Sequence, residues 1–164
     1  MRELKAEPLT REAFAPFGDV IQMDESGEVF PINGGTTIRY HDQCCVQIMG
    51  QDARPAISIF RSQPYTPPIE LELLERHPLG SQAFMPVAGD RFVIVVAPRG
   101  EIIHSARIRA FITCGKKGVN YHAGVWHHPM LALDRVGDFL VVDRIGSGSN
   151  CDERDLPEPM TVVL

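Results

Sequence analysis

The chain has 164 residues, of which 44% are hydrophobic, a size and composition typical of one globular domain with its own core. Its net charge is -5 and it has no block of five or six lysines and arginines, which excludes the basic surface of a typical nucleic-acid-binding protein. The N-terminal residues lack the apolar core of a signal peptide, and no run of 18 apolar residues occurs, so we expect neither secretion nor membrane insertion.

The N-terminal residues predict one short helix. Thr10 is suited to cap a helix that begins at Arg11, and Phe14 and Phe17 lie three residues apart on one face. Gly18 ends the pattern. We expect this helix to cover one end of a barrel.

Most of the remaining chain has the pattern of a many-stranded β domain. Thirteen prolines and fourteen glycines are spread along the sequence, where they separate short runs rich in Val, Ile and Phe. The predicted strands are residues 36–42, 45–49, 56–62, 69–75, 82–87, 91–97, 125–128 and 138–144. The sequence therefore predicts an all-β sandwich or barrel that forms a single domain over residues 1–164.

Two segments lack the alternating pattern of a strand and the repeat of a helix. Residues 105–113 fit neither the helical nor the strand pattern, so their structure stays open. Residues 146–160 contain Gly-Ser-Gly-Ser and two prolines, which is typical of an irregular surface segment. Residues 161–164 are expected to return as an edge strand.

The cysteines are Cys44, Cys45, Cys114 and Cys151. Their spacing is neither that of a disulfide framework nor a C-x-x-C metal or redox motif. We expect reduced thiols in the core of a cytoplasmic protein.

One polar segment of residues 73–89 is set in apolar surroundings. Glu75 and His77 are two residues apart, so on a strand they share one face while Arg76 points away. If residues 78–81 form a turn, Gln82 returns on the neighbouring strand and faces the same interior. A carboxylate inside a barrel is costly unless it is paired or binds a ligand, so an inward Glu75 predicts a site.

A second polar segment spans residues 118–129. A turn at Gly124 followed by alternation places Val125 and His127 on one face, with Trp126 and His128 on the other. Only one of the two adjacent histidines is then inward, and we expect it to be His127. Trp126 is expected to pack or to contact a second copy, and His41, His122 and His128 stay candidates for proton transfer, whereas His104 is expected to be exposed.

Several arginines are candidates for binding a substrate carboxylate, because a guanidinium group matches a carboxylate with two hydrogen bonds. These candidates are Arg39, Arg61, Arg76 and Arg144. Most arginines are solvated surface residues, so a surface position is the more common outcome for each of them.

The two polar segments resemble the two motifs of the cupin superfamily. Glu75, His77, Gln82 and Gly89 stand at the last four places of the first motif, which contains two histidines, a glutamate and a glycine. In the second motif, Gly124 and His127 match, His122 stands at the proline place and Leu131 at the closing asparagine place. The opening glycine of the first motif is missing.

The longer strings are more specific. Leu-Glu-Arg-His-Pro-Leu-Gly-Ser-Gln-Ala-Phe-x-Pro and Gly-Val-Asn-Tyr-His-x-x-Val-Trp-His-His-Pro resemble the ureidoglycolate lyase family, formerly named ureidoglycolate hydrolase. Further matching stretches are residues 15–21, 32–33, 39–42, 109–113, 138–140, 143–144 and 150–152. The similarity covers nearly the whole chain.

The resemblance implies a double-stranded β-helix, or jelly-roll barrel, and a homodimer. It also implies cleavage of (S)-ureidoglycolate to glyoxylate and urea in allantoin catabolism and nitrogen assimilation. Its metal would be Ni²⁺ or another divalent ion held by Glu75, His77, Gln82 and His127, with no organic cofactor. This ligand set is weaker than the three histidines and one carboxylate of the motif.

The implied substrate is a carbinolamide, whose collapse requires a base for its hydroxyl proton, an acid for the departing nitrogen and a group that binds its carboxylate. Glu75 or a histidine could be the base, and His77 or His127 the acid or a metal ligand. Arg39, Gln82, Arg61 and Arg144 are the candidates for substrate binding. The alternatives are an amidohydrolase that releases ammonia and a non-catalytic cupin that binds a small acid; a cupin dioxygenase is disfavoured because its three-histidine ligand set is missing.

Overall fold

The computed structural model describes residues 2–164 and is built almost entirely of β-strands. The elements in chain order are β1 (Arg2–Lys5), β2 (Glu7–Pro8), α1 (Arg11–Phe14), β3 (Gly18–Ile21), β4 (Val29–Ile32), β5 (Thr37–Tyr40), β6 (Arg54–Ser62), β7 (Ile69–Arg76), β8 (Gln82–Pro86), β9 (Phe92–Ala97), β10 (Arg109–Ile112), β11 (Gly118–Tyr121), β12 (Trp126–His127), β13 (Leu131–Ala132), β14 (Gly137–Ile145) and β15 (Asp152–Val163). Single 3-10 turns lie at Asn33–Gly35 and Ser105–Arg107.

Two large sheets enclose the interior. The first has eight strands, in the order β1-β15-β7-β12-β9-β10-β2, with β13 also paired to β9. The second has five strands, in the order β3-β11-β8-β14-β6. All neighbours are antiparallel except β1 with β15 and β10 with β2. The expected all-β fold is confirmed, with the interior enclosed between two sheets.

Alternation along the strands divides the buried side chains into two cores. On β9, Phe92, Ile94 and Val96 face the barrel interior, where they meet residues of the five-stranded sheet. Val93 and Val95 point to the opposite face of the same sheet and pack in a second core with Trp126. The eight-stranded sheet is therefore buried on both faces over β9, which explains its unbroken apolar run.

The short helix begins at Arg11 as predicted but ends at Phe14 rather than just before Gly18. Thr10 Oγ1 accepts a hydrogen bond from the Ala13 amide at 3.2 Å, which is an N-cap, and the helix covers Arg11–Phe14. The Phe14 ring is fully buried and meets Phe111 edge-on, with 5.7 Å between ring centroids. The helix thus contributes a large side chain to the barrel core.

Seven of the eight predicted strands overlap an observed strand; the prediction at residues 45–49 is wrong. These residues form a strap across the turn before β8, where the Gln47 amide donates to Ser81 Oγ at 2.8 Å and the Ser81 amide donates to the Gln47 carbonyl at 3.0 Å. Only Ile48 forms a bridge, to Gly80. An apolar run does not form a strand where no continuous partner edge is available.

The prediction of an irregular segment over residues 146–160 is corrected, because β15 begins at Asp152 and pairs with β7. The residues from Thr161 onwards belong to the same strand, which lies between β1 and β7 rather than at an edge. Charged residues and prolines concealed this strand: the prolines lie in the register shift between Asp155 and Met160, and most of the charged side chains face solvent. The open segment at 105–113 resolves into a 3-10 turn followed by β10.

β4 and β5 form a separate two-stranded hairpin. Three of its apolar side chains, Val29, Phe30 and Ile38, are exposed, with Ile38 at 52%. Isolated hairpins are only marginally stable in water, so this one is expected to gain from a further contact surface.

The cysteines are not in the core, which corrects that prediction. All four are free thiols; Cys44 is half-buried, and Cys45, Cys114 and Cys151 are exposed. Within residues 2–164, no helix is long and apolar enough to span a membrane.

Candidate active site

Strand pairing brings the two polar segments together. β7 and β12 are antiparallel neighbours with Glu75 directly opposite His127. Gln82 lies opposite Tyr121 on the other sheet, so the cluster occupies the space between the two sheets. The predicted alternation is observed: Val125 belongs to the barrel core, whereas Trp126 belongs to the core on the other face of the sheet.

Four side chains converge at this point. Glu75 Oε1 lies 3.5 Å from His127 Nε2 and 3.8 Å from His77 Nε2. Gln82 Oε1 lies 3.2 Å from His77 Nε2. The side chain of His127 is 2% exposed, and those of His77 and Glu75 are 16% and 19% exposed. The cluster is therefore sheltered but reachable from solvent.

The Nδ1 atoms of both histidines and the Nε2 atom of Gln82 face groups that can only accept hydrogen bonds. His77 Nδ1 lies 2.7 Å from the Asn150 carbonyl and His127 Nδ1 lies 3.1 Å from the Val125 carbonyl, so each Nδ1 carries the proton. Gln82 Nε2 donates to Asp143 Oδ2 at 3.2 Å. As a result, Gln82 Oε1 is directed at His77 Nε2, and the Nε2 lone pair of His127 is directed toward Glu75.

The nitrogen and oxygen atoms of this cluster are suited to bind a cation. His127 Nε2 is buried and has no hydrogen-bond partner among the described residues, since its contact with Glu75 is too long for a good bond. Ligand atoms of Glu75, His77 and His127 all lie within 4.8 Å of one another. Two imidazole nitrogens with a carboxylate and an amide oxygen suit a divalent transition metal.

The electrostatics of Glu75 and His127 are coupled. Burial lowers the pKa of His127, which favours its neutral, metal-binding form. Burial acts to raise the pKa of Glu75, but the surrounding histidines outweigh it and hold that pKa below the usual range. The site therefore presents an ionised carboxylate beside a neutral imidazole at neutral pH.

Tyr121 forms one wall of the site. Its ring stacks on His127 with 4.2 Å between centroids and an interplanar angle of 8°. Burial, followed by the charge of Glu75, raises its pKa, so the phenol stays protonated. Stacking fixes the plane of the imidazole and hence the direction of its Nε2 lone pair.

Cys151 and Asn150 form the side of the site nearest β15. Cys151 Sγ lies 4.0 Å from Glu75 Oε2 and is solvent-exposed. The Asn150 side chain also accepts a hydrogen bond from the Leu79 amide at 2.7 Å. Sequence reasoning named neither residue as part of the site, although residues 150–152 were among the stretches that match the family, and that was the available signal.

The candidate arginines lie outside the cluster. Arg39 is exposed on β5, and Arg61 pairs with Asp138 at 2.8 Å on an exposed surface. Arg144 is buried but donates to the Met49 and Ser147 carbonyls. Arg76 points to the opposite face and lies 4.7 Å from the Trp126 ring centroid. In this chain, the structure brings none of the four to Glu75.

The other histidines are also dispersed. His122 Nε2 lies 3.0 Å from Asp19 Oδ2, and His41 packs near Phe30. The His128 ring nitrogen Nδ1 faces the Pro129 carbonyl at 2.9 Å. His104 is exposed, as expected. Glu75, His77, Gln82 and His127 are thus the predicted residues that the fold assembles.

Comparison with known proteins gives a consistent result. A family model described as ureidoglycolate lyase matches residues 1–163. The chain is 53% identical over 164 residues to a ureidoglycolate lyase from Pseudomonas entomophila, covering 100% of this chain and 98% of the relative. It is 52% identical over 160 residues to a ureidoglycolate lyase from Burkholderia mallei, an alignment that covers 98% of this chain and 93% of the relative.

Similar solved structures are more distant. A dTDP-6-deoxy-D-glucose-3,5-epimerase from Legionella pneumophila aligns with a TM-score of 0.45 and 13% identity, covering 81% of this chain and 75% of that one. A dTDP sugar isomerase from Desulfovibrio desulfuricans aligns with a TM-score of 0.44 and 16% identity, covering 87% of this chain and 86% of that one.

Proposed function

Because the chain belongs to the ureidoglycolate lyase family, we propose that the cluster of Glu75, His77, Gln82 and His127 cleaves (S)-ureidoglycolate to glyoxylate and urea. The observation that carries this proposal is the buried His127 Nε2 atom, which has no hydrogen-bond partner among the described residues and lies 3.5 Å from the Glu75 carboxylate.

The reaction moves one proton from oxygen to nitrogen. One carbon of ureidoglycolate carries a hydroxyl, a carboxylate and the ureido nitrogen. When the hydroxyl loses its proton, its electrons form the carbonyl of glyoxylate and the carbon–nitrogen bond breaks. The departing nitrogen takes up a proton and leaves as urea, so no water is consumed.

Glu75 is the residue suited to carry that proton. Its Oε1 faces the two histidines, whereas its Oε2 faces the side of the site at Cys151. The pKa of Glu75 lies below its usual range, so the carboxylate is ready to accept the hydroxyl proton. The same carboxyl group then donates this proton to the leaving nitrogen.

The histidines are suited to bind rather than to exchange protons. Each Nδ1–H is committed to a main-chain carbonyl, which leaves Nε2 as a ligand atom. We assign His77 Nε2, His127 Nε2, Gln82 Oε1 and Glu75 as the residues that would hold a divalent metal, with Ni²⁺ as the ion that the family resemblance implies. When bound, such an ion would attract the hydroxyl and carboxylate oxygens of the substrate and lower the pKa of the hydroxyl.

The proposal assigns Gln82 to the orientation of the substrate as well as to metal binding. Its side chain is 6% exposed and lies in the interior beside His77. Arg39, Arg61 and Arg144 each lie away from the cluster. We propose that one of them binds the substrate carboxylate only if the side chain moves toward the site or if a second copy of the chain supplies it.

We propose that the enzyme is a homodimer. The hairpin β4–β5 exposes Val29, Phe30 and Ile38, and the edge strand β6 exposes Ile57 at 72% and Ile59 at 58%. Apolar side chains on a free edge favour association of two copies around a two-fold axis. Light scattering should give twice the chain mass of 18.2 kDa at micromolar concentration; a monomeric mass would contradict the proposal.

The proposed setting is the cytoplasm, in allantoin catabolism, where release of urea serves nitrogen assimilation. Four free thiols among the described residues support a reducing compartment.

The decisive experiment is incubation with racemic ureidoglycolate while glyoxylate, urea and ammonia are each assayed. The proposal predicts equal amounts of glyoxylate and urea, with half of the racemate consumed. Ammonia as the stoichiometric product would instead identify an amidohydrolase. Binding without turnover would identify a small-acid-binding cupin.

A further inference from the structure

Asp143 lies directly behind Gln82 and has no place in the proposed chemistry so far. It follows Val141 by two residues on β14, so the two side chains share one face of the strand, and Val141 belongs to the barrel core. β14 pairs with β8 with Val142 opposite Ala83, which places Asp143 beside Gln82. Gln82 Nε2 donates to Asp143 Oδ2 at 3.2 Å.

This contact decides which way the Gln82 amide points. A carboxylate only accepts hydrogen bonds, so it must face the NH₂ group of the amide and not its oxygen. Gln82 Oε1 is thereby directed to His77 Nε2, at 3.2 Å. In the flipped orientation two oxygens would face each other at Asp143, and the hydrogen bond between Gln82 and Asp143 would be lost.

We propose that Asp143 is a positioning residue that fixes the Gln82 amide with its carbonyl oxygen toward the point where Glu75, His77 and His127 converge. The inference rests on the proposed function for its consequence, because an oxygen there can bind a cation whereas an NH₂ group repels one. The cluster keeps its lone pairs through three outward partners: the carbonyls of Asn150 and Val125 and the carboxylate of Asp143. Only the last of these is a side chain, and hence open to substitution.

The hydrogen bond joins a carboxylate at position 143 to an amide at position 82, and this pairing suggests a test by substitution. Asp143→Asn makes both partners amides, each of which can donate or accept, so the orientation is no longer fixed. Adding Gln82→Glu reverses the pair: the amide introduced at position 143 then donates, and the carboxylate introduced at position 82 presents an oxygen to His77. The double variant conserves both the charge and the hydrogen bond.

The test uses the full-length chain in three forms: wild type, Asp143→Asn and the double variant Asp143→Asn with Gln82→Glu. In Asp143→Asn, the Kd for Ni²⁺ measured by calorimetry should rise about tenfold to a hundredfold, the usual effect of losing a partner behind a metal ligand. The double variant should bind Ni²⁺ at least as tightly as wild type. Asp138→Asn is the matched control, since it removes a surface aspartate from the same strand and should leave the Kd unchanged.

A second measurement needs neither metal nor substrate. In chelator-treated protein labelled with ¹⁵N-glutamine, the Gln82 side-chain amide proton bonded to Asp143 should resonate downfield, and this shift should be lost in Asp143→Asn. The inference is wrong if Asp143→Asn keeps both the shift and the wild-type Kd, or if the folded double variant binds Ni²⁺ no better than Asp143→Asn. If wild type binds no Ni²⁺, the proposed metal is wrong, and the amide shift alone decides on Asp143.

Discussion

The two faces of the sheet at β7 and β12 carry adjacent residues with opposite properties. On the outer face, the guanidinium groups of Arg76 and Arg154 lie over the Trp126 ring, at 4.7 and 5.5 Å from its centroid, and the ring Nε1–H donates to the Gly100 carbonyl. Arg76 also binds Asp152 and Glu101. On the inner face, the neighbours Glu75 and His127 direct lone pairs at each other.

The difference shows how one pair of strands serves both stability and chemistry. The outer network has its donors paired with acceptors, which stabilises the fold. The inner cluster leaves His127 Nε2 without a partner among the described residues, which costs stability unless a cation or substrate is present. Variants on the outer face should therefore change the free energy of unfolding, and variants on the inner face should change the rate.

The largest effect is expected from Glu75→Gln, which keeps the shape of the side chain but removes its ability to accept the hydroxyl proton. Urea release should fall by about a hundredfold to ten-thousandfold, the range for general acid–base groups. The midpoint of chemical denaturation should not decrease. Glu72→Gln, an exposed change on the same strand, is the control and should retain full activity; equal activity of the two variants would exclude Glu75 as the proton carrier.

On the outer face, Trp126→Ala should lower the free energy of unfolding by about 3–5 kcal/mol, because it removes a fully buried aromatic side chain. Urea denaturation measures this loss. Trp126→Phe should lose less, since it keeps an aromatic ring in the core. A large loss of kcat in folded Trp126→Phe would contradict the separation of the two faces.

On the inner face, His77→Ala and His127→Ala should each reduce turnover by about a hundredfold or more while the protein stays folded, since losing a ligand should cost at least as much as losing a partner behind one. Both should also lose bound Ni²⁺ together with activity, and chelation should abolish wild-type turnover. His104→Ala is the control and should behave like wild type, because His104 is exposed and lies outside both networks. Full activity in both site variants would require a different location for the active site.

The smallest effect is a pH dependence of stability. Burial holds the pKa of His127 below its ordinary value of 6.5 in the folded protein, so the unfolded chain binds a proton more readily. The free energy of unfolding of metal-free protein should therefore decrease as the pH falls below about 6.5, until the folded pKa is reached. His127→Gln should show a smaller decrease than wild type as the pH falls through this range, whereas His104→Gln should follow wild type.

Strand alternation made the faces predictable from the sequence. Spacing of two placed Glu75 and His77 together and turned Arg76 away, and the same rule separated His127 from Trp126. The arginines were not predictable, because their roles depend on partners remote in sequence: Arg61 meets Asp138. The carbonyl of Asn150 was also hidden, since any residue type supplies a main-chain carbonyl.

Secondary structure was least predictable where tertiary pairing overrides local preference. β15 contains prolines and many charges, yet Asp152–Asp155 pair with β7 and only Met160–Val163 meet β1, while both prolines lie in the register shift between these two parts. The apolar run at residues 45–49, by contrast, does not form a strand. It crosses the turn at Gly80 and Ser81 before β8, where it forms only a single bridge.

The six-residue connection between β14 and β15 has a consequence for protein engineering. Connections rich in Gly and Ser are ordinarily the places where insertions, tags and new termini are tolerated. Here the connection includes Asn150, whose carbonyl accepts the hydrogen bond from His77 and whose side chain holds the Leu79 amide. Its length is therefore constrained even though its composition is permissive: a residue inserted at Ser147–Ser149 would displace the imidazole of His77.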